Sequence, residues 1–131
     1  MENSNPTKAV RWISYSMSGL VIIFMLMDSI MKFVKPPEVI EGTLALGFTE
    51  DHLIIIGSLG LTSTLLYIFP PTSILGAVLL TGYFGGAMAT HVRLNNPLFT
   101  HILFTVYLGI FMWGGLWLRN TKLRALFPMI K

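Results

Sequence analysis

The sequence predicts an all-α fold, a transmembrane four-helix bundle with both termini in the cytoplasm. Hydrophobic residues make up 53% of the 131-residue chain and charged residues only 11%, whereas a soluble domain averages about 25% charged residues. Residues 53–90 contain no charged residue at all. A surface with so few charges is typical of a protein whose solvent is lipid, and the length predicts a single domain over residues 1–131.

The first apolar stretch predicts a membrane-spanning helix over residues 12–34, because about 20 apolar residues cross a bilayer. Pro36 and Pro37 follow it, and proline disfavours helix in the residue before it. The stretch is longer than a signal-peptide core of roughly 7–15 residues. It also follows the short polar segment Met1–Lys8, so we expect a retained helix rather than a cleaved signal.

The long uncharged stretch predicts two further helices joined by a tight hairpin. Pro70 and Pro71 divide it into segments at about 52–69 and 72–91, each about one bilayer long. Thr72 or Ser73 is expected to cap the second of these helices, because hydroxyl side chains favour that position.

The remaining segments are a polar connection and a fourth helix. Residues 35–51 carry four acidic residues and are the stretch most suited to water. The last helix is expected over about 98–118, after Asn95-Asn96-Pro97. Strands are excluded, because these segments are apolar all round for about twice the ten residues of an alternating barrel strand.

The distribution of positive charges predicts the orientation. With four spans both termini share one side, and six cations lie in the terminal segments: Lys8, Arg11, Arg119, Lys122, Arg124 and Lys131. The opposite side has three: Lys32, Lys35 and Arg93. Positive residues collect in the cytoplasm, so we expect cytoplasmic termini in a bacterial inner membrane. The inner interface should then hold an aromatic belt of Trp12, Trp113, Trp117 and Tyr67.

Composition excludes several classes of function. The chain has no cysteine, which excludes disulfides, thiol redox chemistry and cysteine-ligated metal. Nucleic-acid binding needs a basic stripe that this sequence lacks. No histidine pair has metal-ligand spacing on one helix, so we predict no metal site and disfavour haem. No catalytic residue is assigned, because no serine sits in a recognisable nucleophile elbow.

Ionisable residues are expected to gather at the outer end of the bundle, while the inner half contributes none. Asp28 and Lys32 are four residues apart, which suits a helical ion pair. Charges in lipid cost about 2.5–3.5 kcal/mol each, so they need either a structural or a functional reason. The candidate ligand-binding residues are Asp28, Lys32, His52, His91, Arg93, His101, Gly82 and Gly86. A purely structural ion pair and ordinary interfacial histidines are the simpler alternative.

Gly82 and Gly86 form a G-x-x-x-G pair in the third predicted helix. Small residues of this kind let helices approach closely in lipid. The simpler interpretation is therefore a packing face. The alternative is a groove that accepts a flat ligand.

The run Gly76–Arg93, GAVLLTGYFGGAMATHVR, resembles the DoxX-like membrane proteins. Leu66–Pro70, Leu118–Pro128 and the polar pattern at Asp28–Lys32 are similar to that family as well, so the resemblance covers nearly the whole chain. Pro71 departs from it, where the family suggests a basic residue. The resemblance implies a four-helix bundle. The family takes its name from a membrane subunit of a thiosulfate:quinone oxidoreductase, and it offers no settled catalytic residues to carry over.

Three functional hypotheses follow. The first is binding of a lipophilic small molecule, a quinone or a lipid, as a redox-accessory subunit of a quinone-linked oxidoreductase. The second is a structural or assembly factor, a homo-oligomer or a partner in a larger membrane complex. A lipid-facing G-x-x-x-G stripe opposite the polar cluster would favour it. Transport is disfavoured, because matched repeats with broken helices are absent.

Overall fold

The computed structural model describes residues 6–130, and every regular element among them is helical, which confirms the all-α prediction. The elements are α1 (Lys8–Val34), α2 (Pro37–Ala45), α3 (His52–Ile68), a 3₁₀ turn (Pro70–Thr72), α4 (Ser73–Arg93), a π-helical turn (Leu98–Ile102), α5 (Phe104–Arg119) and α6 (Thr121–Leu126). Most of the polar N-terminal segment, Met1–Asn5, and the terminal cation Lys131 lie outside the described residues.

Both ends of α1 have an identifiable cause. At its start the Thr7 hydroxyl accepts a hydrogen bond from the Val10 amide at 3.2 Å, which satisfies one of the free amides of the first turn. At its end Lys35 adopts a left-handed conformation, with φ of 60°, and Pro36 and Pro37 follow. The polar connection then forms α2, which begins at Pro37 because the first helical position tolerates a missing amide.

The hairpin between α3 and α4 corrects the predicted role of Thr72 and Ser73. Neither side chain caps α4. The Thr72 hydroxyl donates to the Leu66 carbonyl at 2.7 Å and the Ser73 hydroxyl to the Tyr67 carbonyl at 2.8 Å. Those two carbonyls would normally accept from the amides of residues 70 and 71, which are both proline and have none. The hydroxyls therefore finish the preceding helix rather than start the next one.

Helices α1, α3, α4 and α5 form a closed ring. α1 packs against α3 and α5, and α4 packs against the same two helices. The core between them consists of Val21, Met25, Tyr67, Ala77, Leu80, Phe84, Leu108, Met112 and Leu116. Two glycines allow the closest approaches between neighbouring helices. A Cβ on Gly76 would lie 2.2 Å from the backbone nitrogen of Tyr67, and one on Gly115 would lie 2.5 Å from the Ser18 Oγ.

The outer surface of this ring is apolar. Large side chains such as Ile23, Leu59 and Ile110 are more than half exposed. Among residues 6–130, three helical segments are long and apolar enough to cross a membrane: Lys8–Val34, Pro70–Arg93 and Leu98–Arg119. The helix His52–Ile68 is also apolar but has only 17 residues, so the count of four spanning helices stays a prediction.

Candidate functional site

A cavity of about 440 Å³ lies inside the ring at the end where α1 finishes and α3 begins, here called the polar end. Five of the eight predicted site residues line it: Asp28, Lys32, Gly82, Gly86 and His91. Most of the remaining wall is apolar, with Phe24, Phe104 and Leu108 among its members. Cavities of roughly 300–1,000 Å³ with apolar walls and a few polar groups are typical of small-molecule sites.

The ion pair that the spacing predicts is present in the cavity wall. The Lys32 Nζ lies 2.5 Å from the Asp28 Oδ2, and the two side chains are 17% and 32% exposed, respectively. The Tyr83 hydroxyl donates to the same oxygen at 3.4 Å. Both of these contacts end on Oδ2, and no side-chain hydrogen bond among the described residues ends on the other carboxylate oxygen. The pair carries no net charge, so it favours an uncharged polar group over an anion or a cation.

Gly82 and Gly86 border the cavity and pack against no neighbouring helix within residues 6–130. A Cβ added to either would meet nothing within 4 Å, and both residues are exposed. The glycines that approach a neighbouring helix most closely are Gly76 and Gly115. Within the described residues this pair makes no close contact with another helix, and the groove for a ligand stays a prediction.

His52, Arg93 and His101 lie around the cavity without lining it. His52 accepts a hydrogen bond from the Thr49 amide at 3.0 Å. Arg93 is exposed and donates to the Leu46 carbonyl at 2.9 Å, and Leu46 is part of the cavity wall. Arg93 therefore holds the loop after α2 across the polar end, and the prediction that these three residues contact a ligand stays untested.

Next to Leu46, the turn that carries Gly47 depends on having a glycine there. Gly47 has φ of +92°, a conformation that glycine adopts most readily. A Cβ at this position would also lie 2.8 Å from the Arg93 Nη2. The backbone conformation explains the glycine, because the Arg93 guanidinium is the end of a flexible side chain and can shift.

Two of the three histidines at the polar end form a pair. The rings of His91 and His101 meet edge to face with centroids 5.5 Å apart. The His91 Nδ1 lies 2.7 Å from the side-chain nitrogen of Asn96. His91 borders the cavity while His101 is exposed. Within residues 6–130, no group of three or more His, Asp or Glu side chains is placed to hold a metal ion.

A comparison with protein families identifies the chain. The model of the DoxX-like family matches residues 16–115, which include every residue that lines the cavity. The chain belongs to the DoxX-like family. No curated protein and no solved structure matches it. Together with the apolar helices, this membership makes the molecule a small integral membrane protein.

This DoxX-like protein also has a second polar cluster, which sequence reasoning missed, at the opposite end of the ring. The Arg119 Nη1 donates to the hydroxyls of Ser14 and Ser18 at 2.9 and 2.8 Å. The Ser18 hydroxyl is 2.7 Å from that of Tyr67, which donates to the Met112 carbonyl at 2.7 Å. The expectation that this half contributes no ionisable group is therefore wrong.

The position of Tyr67 in this cluster also corrects the predicted aromatic belt. Its side chain is 1% exposed and lies in the core, not at an interface, because its hydroxyl is satisfied by groups from α1 and α5. The available signal was the spacing of Ser14 and Ser18, which places two hydroxyls on one face of α1. Trp12, by contrast, is 69% exposed.

Proposed function

We propose that α1, α3, α4 and α5 all cross the bilayer, with both termini in the cytoplasm of a bacterial inner membrane. The ring of four helices, each packed against two others, supports this, because α3 lies among three helices of spanning length. Its 17 residues correspond to about 26 Å of helix at 1.5 Å per residue, close to the lower limit for a span. The excess of terminal cations supports the orientation.

We further propose that the cavity binds the polar head group of a lipophilic small molecule, a quinone or a lipid. The observation that carries this proposal is the meeting of the Asp28–Lys32 pair with the exposed Gly82 and Gly86 in one cavity. Such a site offers hydrogen bonds to a head group beside apolar surface for a tail. Since the pair is neutral, the preferred head group is itself uncharged.

The roles of the polar residues follow from their chemistry. Asp28 accepts a hydrogen bond through its other carboxylate oxygen, and Lys32 keeps that carboxylate paired when no ligand is bound. Tyr83 holds the carboxylate in place. His91 borders the cavity, so its imidazole can form a hydrogen bond with a head group. In a redox-accessory role the electrons would come from a partner subunit.

The assembly-factor hypothesis retains one supporting observation. Gly82 and Gly86 are exposed and meet no other helix within the described residues, as expected for a surface that binds another protein. The two glycines, however, lie beside the polar cluster and share its cavity rather than facing away from it. This placement favours a ligand over a partner helix.

The proposal predicts that one lipophilic compound co-purifies with the protein and is lost when Asp28 is changed. The protein is extracted in mild detergent, and bound molecules are identified by mass spectrometry for wild type, Asp28→Asn and His91→Ala. Losing a hydrogen bond to a charged group weakens binding by roughly tenfold or more. Asp51→Asn, an exposed carboxylate outside the cavity, is the matched control and should retain the compound. Bulk membrane lipid alone in every sample would point instead to the assembly factor.

A further inference from the structure

The cavity is open on the lipid-facing side of α4. The buried residues of this helix include Leu80 and Phe84, which face the core. Gly82 is two residues from each, so it lies about 200° around the helix from both. A residue on that side can border the cavity only if the cavity continues past the helix to the outer surface.

Helix α3 forms the other edge of this opening. Its residues Ile56 and Leu59 also line the cavity, and Leu59 is 59% exposed. We use the name α3–α4 slot for the gap bordered by Ile56, Leu59, Gly82 and Gly86. The slot is therefore bounded by apolar side chains of α3 on one edge and by the backbone of two glycines of α4 on the other.

The contacts between the two helices explain why the slot exists only at the polar end. Near the hairpin, Gly76 brings α4 into contact with the backbone of α3. Further along, the Tyr83 ring lies against Gly60, 3.2 Å from the position of an added Cβ, and its hydroxyl reaches Asp28. Gly82 and Gly86 flank Tyr83 along α4, and a Cβ added to either glycine would meet nothing within 4 Å, so the α4 edge of the slot is open on both sides of this ring.

We propose that the α3–α4 slot is a lateral passage through which the ligand enters from the bilayer and through which its tail remains in the lipid. This inference rests on the proposed function of the cavity. The ligand class it defines is a single-headed amphiphile with an uncharged head and one long flexible tail. A cavity of about 440 Å³ holds a head group and the beginning of such a tail. The rest of the tail needs an exit, and the glycines leave room for it.

Two probes distinguish the passage from the head-group site. One is a dimethoxy-methyl-benzoquinone without a tail, and the other is the same ring with a ten-carbon tail. Dissociation constants are measured by titration calorimetry in one detergent, and the ratio of the two affinities is compared between variants. Each probe partitions into the detergent to the same extent whichever variant is present. A change in the affinity ratio between variants therefore measures a change in the contribution of the tail to binding.

Gly86→Leu and Gly82→Leu are expected to lower the preference for the tailed probe by roughly tenfold, the effect of removing about two methylenes from apolar contact. The matched control is Gly85→Leu, on the same helix but outside the cavity, where an added Cβ also meets nothing within 4 Å. It should keep the wild-type ratio. An unchanged ratio in both slot variants, or an equal fall in Gly85→Leu, would overturn the passage.

Failure of the passage is distinguishable from failure of the proposed function, since the latter would leave wild type unable to bind either probe. If the leucine variants do not fold, Gly86→Cys and Gly85→Cys replace them. The chain contains no cysteine, so each thiol is unique and can be alkylated with a bulky hydrophobic maleimide after folding. Alkylation at position 86 alone should then lower the ratio, and an equal effect at both positions would overturn the passage.

Discussion

Gly76→Ala is expected to lower the free energy of unfolding by about 3 kcal/mol, the upper part of the range for an overpacked core. A Cβ at this position would lie 2.2 Å from the nitrogen and 2.6 Å from the Cα of Tyr67. Both atoms belong to the backbone of α3, so no side-chain rotation relieves the overlap. The two helices must separate, and the hydrogen bonds of Tyr67 with α1 and α5 would be strained as a result.

The measurement is thermal or detergent-induced unfolding of the purified protein, with Gly85→Ala as the control. Gly85 is in the middle of the same helix and has open space at its Cβ position. There alanine is expected to be neutral or stabilising by about 0.5–1 kcal/mol, because glycine is the weaker helix former. Equal stability of the two variants would show that the close approach at Gly76 does not hold α3 and α4 together.

Local features of this fold were predictable from the sequence because their causes are local. Apolar length and paired prolines determine where the helices run and where they stop. The contact between Asp28 and Lys32 follows from their spacing of four on one helix, and it is present at 2.5 Å. Asp28, Lys32 and His91 meet at one end of the bundle. This was predictable because the chain reverses direction after each helix, which determines the end at which each residue lies.

Features that depend on how helices face one another were not predictable in the same way. The G-x-x-x-G pair at Gly82 and Gly86 suggested packing, yet Gly76 and Gly115 make the closest approaches to a neighbouring helix. Sequence spacing identifies small residues that share a face but not which neighbour, if any, that face meets. The contact of Arg119 with Ser14 joins residues 105 positions apart, and no periodicity in a single helix reveals it.

The two polar clusters have different physical characters. At the hairpin end, Arg119 is anchored by hydroxyls and a carbonyl from α1, and its guanidinium lies 5.0 Å from the ring centre of Tyr15. This cluster ties helices together and does not line the cavity at the polar end. At the polar end, Asp28 and Lys32 border a cavity. A ligand is therefore expected at the polar end, and a structural role at the other.

The Asp28–Lys32 pair is expected to behave asymmetrically when one partner is removed. Lys32→Met should destabilise the protein more than Asp28→Leu, because a lone lysine can extend toward water at the polar end whereas the shorter aspartate cannot. Breaking a fully buried pair costs about 3–5 kcal/mol. Asp28 is 32% exposed, so screening reduces the expected loss to about 1–3 kcal/mol for the worse variant.

The double variant Asp28→Leu/Lys32→Met separates a structural role from a ligand-binding role. Replacing both charges by apolar groups of similar volume is often neutral, so stability should return close to the wild-type value. If the two residues serve only to neutralise each other's charge, the double variant should regain stability and show no change in ligand binding. If Asp28 holds a head group, the recovered protein should still fail to bind the tailed benzoquinone. Stability and binding are thus measured on the same three variants, and a stable double variant that binds as wild type does would remove Asp28 from the site.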